Sequence, residues 1–345
     1  MQIKDYAAKY DPQNQFDVLI NTYKQVEFAW NNKFIIDGIN SSELSNIVIS
    51  GLGGSAISAD LIKNFLNDEV SIPITVNRNY NLPKFASKNT LFIASSYSGN
   101  TEETISSLKE AIEIGCKIVC ITTGGEVEAI AKNKNIPKVR VQTGFQPRYS
   151  LGLSFFSLLK VFQHLRLVAD QTEIVEKIIN LWKQNGIEYS KDGNFAYKFA
   201  ESLLGFIPVI YSVADSTSAV GYRFKCQLNE NSKLHAFHNE IPEMNHNEII
   251  GWESYQEKVF HSKIINIVDE TYHPQIQKRF EILKDIFAKS GVETLTLKSN
   301  EELFKVRLLD LIYLGDWISY YAGVLRGYDP SEIDNIYTLK DRLKS

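Results

Sequence analysis

The chain has 345 residues, a formal net charge of −4, and 44% hydrophobic and 23% charged residues. This length is large for a single hydrophobic core and predicts two domains, and the composition is that of a globular protein. The small negative charge gives no reason to expect nucleic acid or an anionic membrane as a partner. No apolar run approaches the ~20 residues of a membrane span, and the N-terminal segment lacks the apolar core of a signal peptide.

Cysteine usage favours a reducing compartment. The three cysteines, Cys116, Cys120 and Cys226, are too few for a disulfide framework and lack metal-ligand spacing with histidine. Cys116 and Cys120 flank the apolar run KIV, which is typical of a buried strand, so we expect core thiols. These features together predict a cytoplasmic protein.

The first half of the chain begins with helices and continues as an alternation of strands and helices. Residues 1–43 have helical spacing around FDVLINTYKQVEFAWNN and predict an N-terminal helical extension. Residues 44–155 then alternate short β-branched or apolar runs with helical patterns. This alternation predicts a parallel sheet covered by helices on both faces. The strand runs are NIVIS, IPITVNRNY, TLFIAS, CKIVCITT and PKVRVQT.

The second half repeats this plan after a helical connection. Residues 156–200 contain long helical patterns without strands. In residues 201–345 the alternation returns, and FIPVIYSVADSTSAVGYRFKCQLNEN follows the order of NIVISGLGGSAISADLIKNFLND: apolar strand, small-residue loop, helix. Further strands are predicted in KVFHSKIINIVDE and VETLTLKS, and the chain ends in helices. We therefore expect two similar doubly wound domains.

The stretch SSYSGNTEET, residues 95–104, places hydroxyl groups between a strand and a helix. A helix start has unpaired N–H groups and partial positive charge, so an anion can bind there with help from Ser or Thr hydroxyls. The alternative is a capped helix, with Asn100 as N-cap and Glu103 completing a capping box. That alternative leaves Ser96 and Ser98 unexplained, so an anion site is favoured.

A second loop of this kind, GLGGSAIS at residues 51–58, follows the first strand. Its Gly51, Gly53 and Ala56 match a G-x-G-x-x-A dinucleotide pattern, and Arg78 at the end of the next strand suits the 2′-phosphate of NADP. An NADP-dependent oxidoreductase therefore stays open at this point. Two anion loops at neighbouring strand ends also suit one phosphate held from two sides.

Two further segments contain candidate catalytic side chains. GFQPRYSLG places Arg148 after Pro147, where the first sheet gives way to helices; a surface arginine in a turn is the alternative. Residues 229–252 form the densest polar segment of the chain. It holds Glu230, Glu240, Glu243, Glu248, His235, His238 and His246. No H-E-x-x-H or other tight zinc pattern is present, so acid–base chemistry is favoured over metal binding.

Four of these segments occur in an order that resembles a known family. GLGGSA, SSYSGNTEET, PRYSLG and NENSKLHAFHNEIPEMNHNE, with GYDPSEIDNIYTLKDRL near the C-terminus, are similar to the bifunctional phosphoglucose/phosphomannose isomerases. The resemblance implies an α/β fold of two doubly wound, flavodoxin-like parallel-sheet sugar isomerase (SIS) domains flanked by helices. It also implies a homodimer whose site is completed across the interface, a phosphosugar substrate, and neither metal nor nucleotide cofactor.

The resemblance also implies roles for individual residues. Ser55, Ser96, Ser98 and Thr101 match positions that hold the sugar phosphate, with backbone help from Gly54. Glu230 matches the base that moves a proton between C1 and C2, and Arg148 matches the arginine that stabilises the enediolate. His246, supplied by the neighbouring subunit, matches the residue that opens the sugar ring, and Lys340 matches a lysine at the reacting end of the sugar.

The expected activity is interconversion of fructose 6-phosphate with glucose 6-phosphate and mannose 6-phosphate. The two aldose phosphates differ only at C2 and share one enediol. The alternatives are a non-catalytic phosphosugar sensor and an isomerase of another phosphosugar. A sensor would not require Glu230, Arg148 and His246 together, and no DNA-binding helix-turn-helix is evident.

Overall fold

The computed structural model describes residues 2–343, which divide into two compact units. Residues 22–180 form the first-sheet unit, and residues 2–21 together with 181–343 form the second-sheet unit. The division near residue 180 falls inside a helix, Thr172–Tyr189. The domain boundaries predicted near residues 43, 155 and 200 stay predictions.

The strands pair in parallel within two sheets. They are β1 (Asn46–Ser50), β2 (Ile74–Asn77), β3 (Thr90–Ser96), β4 (Lys117–Thr122), β5 (Lys138–Arg140), β6 (Ile207–Val213), β7 (Phe237–Ile241), β8 (Ser262–Ile267) and β9 (Glu293–Leu297).

The helices flank the two sheets and occupy most of the remaining chain. They are α1 (Ile3–Tyr10), α2 (Gln15–Ile20), α3 (Thr22–Asn31), α4 (Gly54–Phe65), α5 (Glu102–Ile114), α6 (Gly125–Asn133), α7 (Leu151–His164), α8 (Thr172–Tyr189), α9 (Phe195–Ser202), α10 (Ser218–Ser232), α11 (Glu248–Gly251), α12 (Pro274–Ser290), α13 (Phe304–Leu325) and α14 (Asp334–Leu343). Short 3₁₀ turns include Pro147–Tyr149 and Glu243–His246. Within residues 2–343, no helix combines the length and apolarity needed to cross a bilayer.

The first sheet has the strand order β2-β1-β3-β4-β5, which is the flavodoxin-like order 2-1-3-4-5. Its central strands are β-branched and apolar, and they are buried on both faces, as parallel strands covered by helices must be. One face packs Val48 and Phe92, which are opposite each other in the register, against Leu108 of α5 and Val127 of α6. The same core contains Cys120, and burial raises the pKa of its thiol to about 12, so it is a core thiol as expected.

The second sheet has the order β7-β6-β8-β9, so it repeats the first four positions of the first sheet. Tyr211 of β6 stacks on Phe287 of α12 at a centroid distance of 5.9 Å, within an apolar core on one face. Helix α13 is apolar around nearly its whole circumference, and it is accordingly buried along almost all of its length. The predicted fold class and the predicted internal repeat are confirmed.

Two local features differ from the sequence interpretation. Glu230 lies in the last turn of α10, in agreement with the helical pattern through Asn231, but residues 237–241 form the edge strand β7, which was not predicted. Asn100 is not the N-cap of α5, which is Thr101. The Asn100 side chain instead accepts a hydrogen bond from the N–H of Glu126 at 3.1 Å, at the start of α6. Asn100 therefore joins two loops of the sheet edge.

Candidate active site

The first sheet places two polar loops at the point where its strand order reverses. The loops follow β1 and β3, whose carboxyl ends lie side by side in the register. In open parallel α/β sheets, ligands bind outside the carboxyl ends of the strands at such a switch point. The loops contain Gly54 and Ser55 on one side, and Ser96, Ser98 and Thr101 on the other.

The loop after β3 is organised by its own hydroxyl groups. The Oγ of Ser96 and the Oγ1 of Thr101 are 3.0 Å apart, and the N–H of Gly99 donates to Ser96 Oγ at 3.1 Å. Ser98 is exposed, and its Oγ accepts from the N–H of Asn100 at 3.2 Å. An Oγ that accepts a backbone hydrogen bond keeps its own proton for donation, so this loop can donate to an anion.

Gly99 is required by both conformation and space. Its φ of 71° lies in the left-handed region, and a Cβ there would lie 1.8 Å from the carbonyl oxygen of Gly124. The carbonyl of Gly99 in turn accepts from the N–H of Val127 at 3.0 Å. The loop after β3 is thus held against the loop after β4. This contact between the two loops was not predicted from the sequence. The Gly124–Gly125 pair, which follows a predicted strand, could have indicated a close backbone approach there.

The loop after β1 approaches the end of β3 through Gly51. A Cβ on Gly51 would lie 2.8 Å from the Ser95 carbonyl oxygen and 3.0 Å from Ser55 Cβ. Ser55 is buried in the first turn of α4, a turn without an acidic side chain. The first turn of α5, by contrast, contains Glu102 and Glu103. No acidic side chain of the first turn complements the partial positive charge at the N-terminus of α4. A bound anion can therefore do so.

Arg148 is placed beside this loop by the close approach of Gly54. A Cβ on Gly54 would lie 2.9 Å from the carbonyl oxygen of Pro147, the residue before Arg148. Arg148 is only 5% exposed, and its guanidinium lies 5.8 Å from the centroid of the Tyr149 ring. The interpretation of Arg148 as a surface arginine is wrong. The structure places the turn that bears Arg148 against the loop after β1 in the first-sheet unit.

The other predicted catalytic residues belong to the second-sheet unit. Glu230 is half-buried on α10, His246 is exposed on the 3₁₀ turn Glu243–His246, and Lys340 is exposed on α14. These are three separate elements of the unit. The assignment of these residues, and of the phosphate-binding residues, remains a prediction.

The equivalent switch point of the second sheet is occupied by protein groups. Asp269, just after β8, pairs with Arg307 through Nε at 2.6 Å and Nη2 at 3.0 Å, and both side chains are buried. Hydrogen bonds from Arg307 and from Thr271 lower the pKa of Asp269 and outweigh the burial that acts against them. The Asp269 carboxylate and the Arg307 guanidinium thus bind each other at this position, where the first sheet has hydroxyl groups.

His238, considered as a metal ligand from the sequence, is engaged within the protein. Its Nε2 lies 2.7 Å from the Oγ of Ser212, and the ring is packed against Gly221 of α10. Burial, aided by the positive charge of Lys225, lowers the pKa of His238 to about 4. The ring is therefore neutral near pH 7.

Comparison with known proteins identifies the family. A family model described as the bacterial phospho-glucose isomerase C-terminal SIS domain matches residues 192–343. A bifunctional phosphoglucose/phosphomannose isomerase from Caldicellulosiruptor bescii is 37% identical over 335 residues, covering 95% of this chain and 98% of that protein. The chain belongs to the bifunctional phosphoglucose/phosphomannose isomerase family. A member from Aquifex aeolicus is 36% identical over 327 residues, covering 93% of this chain and 98% of its own.

A solved structure supports the fold. A hypothetical protein from Thermus thermophilus superposes with a TM-score of 0.70 at 14% identity, covering 99% of this chain and 92% of that chain. At this identity the likeness concerns the fold alone. Family membership confirms the expected enzyme class, an isomerase. The strand order of the first sheet also differs from the 3-2-1-4-5-6 order of dinucleotide-binding Rossmann domains.

Proposed function

We propose that this protein is a cytoplasmic, homodimeric aldose–ketose isomerase that interconverts fructose 6-phosphate with glucose 6-phosphate and mannose 6-phosphate. The observation that carries the proposal is the pair of hydroxyl loops at the switch point of the first sheet, in a member of this family. A 6-phosphate bound there would be held by Ser55, Ser96, Ser98 and Thr101, with the backbone of Gly54. Binding energy at a phosphate remote from C1 and C2 positions the reacting carbons.

The proposed chemistry is a proton transfer through an enediolate. His246, contributed by the partner subunit, opens the sugar ring by moving a proton between O5 and O1. Glu230 then removes the proton from C2 of the open aldose and returns it to C1, while the O2 proton passes to O1, which yields the ketose. Arg148 stabilises the negative charge that develops on the enediolate oxygens, and Lys340 binds the sugar at its reacting end. No metal takes part.

The enediolate explains how one site would have two activities. Glucose 6-phosphate and mannose 6-phosphate lose their C2 configuration when that carbon becomes planar. Return of the proton to either face of C2 from the ketose side gives one aldose or the other. A site that accepts both configurations at C2 therefore catalyses both reactions with one base.

The test is a coupled assay on the purified protein with EDTA present, in which fructose 6-phosphate is supplied and both aldose products are followed separately. We expect both products. Glucose 6-phosphate alone would indicate a site selective at C2, and loss of activity with EDTA would contradict the metal-free mechanism. Neither product, with fructose 6-phosphate still bound in calorimetry, would replace the proposal with a sensor or another phosphosugar.

Glu230→Gln tests the base separately. The substitution keeps the shape of the side chain and removes its basicity. We expect phosphosugar binding close to that of the wild type and a kcat lower by about 10³-fold or more. A kcat near the wild-type value would exclude Glu230 as the base and leave the substrate assignment to the assay above.

A further inference from the structure

Helix α10, which bears Glu230, is joined to α13 by a buried polar seam. Arg223 donates from Nε and Nη2 to the two carboxylate oxygens of Asp316 at 3.0 and 2.8 Å, and Gln227 donates to Asp316 Oδ1 at 3.0 Å. All three side chains are buried. Replacing a buried ion pair by apolar groups is often neutral or stabilising. We therefore attribute to the seam the placement of α10 on α13 rather than a gain in stability.

The seam continues to the residues next to Glu230. Asn231 donates from Nδ2 to Ser319 Oγ at 2.9 Å, and Ser232 donates from Oγ to the Ser319 carbonyl at 2.7 Å. Asn231, Ser232 and Ser319 are completely buried. Gly323, one turn further along α13, lies so close that a Cβ there would be 2.5 Å from the carbonyl oxygen of Asn231. The last turn of α10 therefore lies directly on the backbone of α13.

This contact holds a turn that would otherwise fray. Helix α10 ends at Ser232, and Lys233 adopts a left-handed conformation with φ of 49°. Terminal helix turns fray unless side chains or neighbouring elements hold them. Glu230 lies three residues after Gln227 and one before Asn231. Because each helical residue adds about 100° of rotation and 1.5 Å of rise, fixing both neighbours also fixes the Cα of Glu230.

We propose that Ser319 and Gly323 are positioning residues for Glu230: they hold the last turn of α10 so that the carboxylate stays at one place. The inference rests on the proposed function, in which Glu230 is the base. Neither residue touches the substrate in this proposal. A displacement of about 1 Å at a catalytic group can cost about 10²-fold in rate, so a contact that fixes the helix end affects turnover rather than binding.

The first experiment compares two glycine substitutions on α13. Gly323→Ala places a methyl group against the Asn231 carbonyl and pushes the last turn of α10 away. Gly315→Ala is the matched control. A Cβ on Gly315 would face the ring of Phe224 on α10, at 3.3 Å from its nearest ring carbon. We expect Gly323→Ala to lower kcat by about 10²-fold with KM within about 3-fold of the wild type, and Gly315→Ala to leave both within about 3-fold.

The second experiment combines Gly323→Ala with Glu230→Gln. If Gly323 acts through Glu230, the double variant is no slower than Glu230→Gln alone, because the misplaced group is already inert. The inference is overturned if Gly323→Ala lowers kcat by the same factor in Glu230→Gln as in the wild type. It is also overturned if Gly323→Ala alone leaves kcat unchanged. A fully active Glu230→Gln instead overturns the proposed base, so the two failures are distinguishable.

Ser319→Ala keeps the inference testable if Gly323→Ala does not fold. It removes the acceptor of the Asn231 amide and keeps the carbonyl that accepts from Ser232. We expect a fall of about 10-fold in kcat at unchanged KM, and an altered pH dependence of kcat because Glu230 changes its surroundings. A kcat and pH profile identical to the wild type in a folded Ser319→Ala would overturn the inference.

Discussion

At the scale of single residues, Ser98 differs from the other hydroxyls of the loop after β3. Ser96 is buried, and its Oγ lies within hydrogen-bonding distance of both Thr101 and the N–H of Gly99. Ser98 is exposed, and within the loop its Oγ accepts from the N–H of Asn100. Because this Oγ accepts a hydrogen bond there, its own proton can be donated to a phosphate oxygen. Ser98 is thus the hydroxyl that can be removed with least damage to the loop.

We predict that Ser98→Ala raises KM for fructose 6-phosphate by about 10-fold, because a hydrogen bond to a charged group contributes about 1.5 kcal/mol or more. The kcat should change less, since the phosphate is remote from the reacting carbons. Steady-state kinetics measures both values, and thermal unfolding of the variant serves as the control for folding. An unchanged KM would count against the assignment of this loop to the phosphate.

His238 gives a residue-scale prediction for stability. Burial first, and then the charge of Lys225, lower the pKa of His238 to about 4 from the ordinary value of 6.5. Below pH 6.5 the unfolded chain therefore binds a proton that the folded chain does not, so this contribution is present above pH 6.5 and is lost as the pH falls towards 4. Between pH 7.5 and 5 the loss is about 2 kcal/mol.

Urea unfolding at pH 7.5 and pH 5 measures this effect. We expect His238→Gln to lose about 2 kcal/mol less than the wild type over this interval, because glutamine does not titrate. His235→Gln, at an exposed histidine of the same segment, is the control and should follow the wild type. Equal pH dependence in His238→Gln and the wild type would contradict the assignment.

At the scale of elements, the site depends on how the loops after β1, β3 and β4 support one another. Gly99 packs on the Gly124 carbonyl, Asn100 accepts from the Glu126 N–H, and Thr123 donates from its N–H to the Tyr97 carbonyl at 3.1 Å. The loop after β3 is therefore one part of a layer of three loops. Its shape is set by backbone groups of neighbouring strands.

Two glycines of the first-sheet unit, Gly99 in the loop after β3 and Gly115 after α5, separate the effect of packing from that of backbone strain. Gly99 and Gly115 have φ of 71° and 81°, but a Cβ meets the Gly124 carbonyl at 1.8 Å in the first case and nothing within 4 Å in the second. Both substitutions to Ala place a side chain in the left-handed region, at a cost of about 1 to 2 kcal/mol. We predict that only Gly99→Ala also raises KM, by about 10-fold or more, because it displaces Ser96 and Ser98. Equal KM values for Gly99→Ala and Gly115→Ala would contradict this prediction, because they would show that displacement of Ser96 and Ser98 does not weaken substrate binding.

At the scale of the whole molecule, the chain repeats one sheet plan and uses the two copies differently. The first sheet has an open switch point with hydroxyl loops, and the second has a buried Asp269–Arg307 pair at the equivalent position. The two copies therefore present different groups at this edge of the sheet. The second-sheet unit instead presents His246 on an exposed turn, which suits a residue acting on another subunit in the proposed dimer.

Mixing two inactive variants tests the shared site. We expect Glu230→Gln and His246→Gln each to be poorly active alone. After subunit exchange, each mixed dimer has one site with both residues intact, so an equal mixture should regain about a quarter of the wild-type activity in a two-fold symmetric assembly. Sedimentation of the same samples checks for the dimer. No recovery in samples that have exchanged subunits would place His246 and Glu230 of one chain in the same site.

The fold class, the internal repeat and the candidate residues could be predicted from the amino-acid sequence alone. Strand and helix periods are local properties, so NIVIS and TLFIAS predict β1 and β3 without knowledge of their neighbours. Glycine and hydroxyl residues at strand ends likewise marked the loop from Ser96 to Thr101. Family membership then confirmed the class of enzyme.

Which side chains come into contact, by contrast, depends on packing between distant segments. Strand β7 was missed because FHNEI lies at the sheet edge and is mostly half-exposed, so it lacks the apolar pattern of a central strand. The capping role given to Asn100 was wrong because its partner is the N–H of Glu126, a residue outside the local helix start. The Asp316 and Ser319 contacts with α10 join residues about ninety positions apart. Hydrogen bonds over such separations depend on helix packing, which no local pattern encodes.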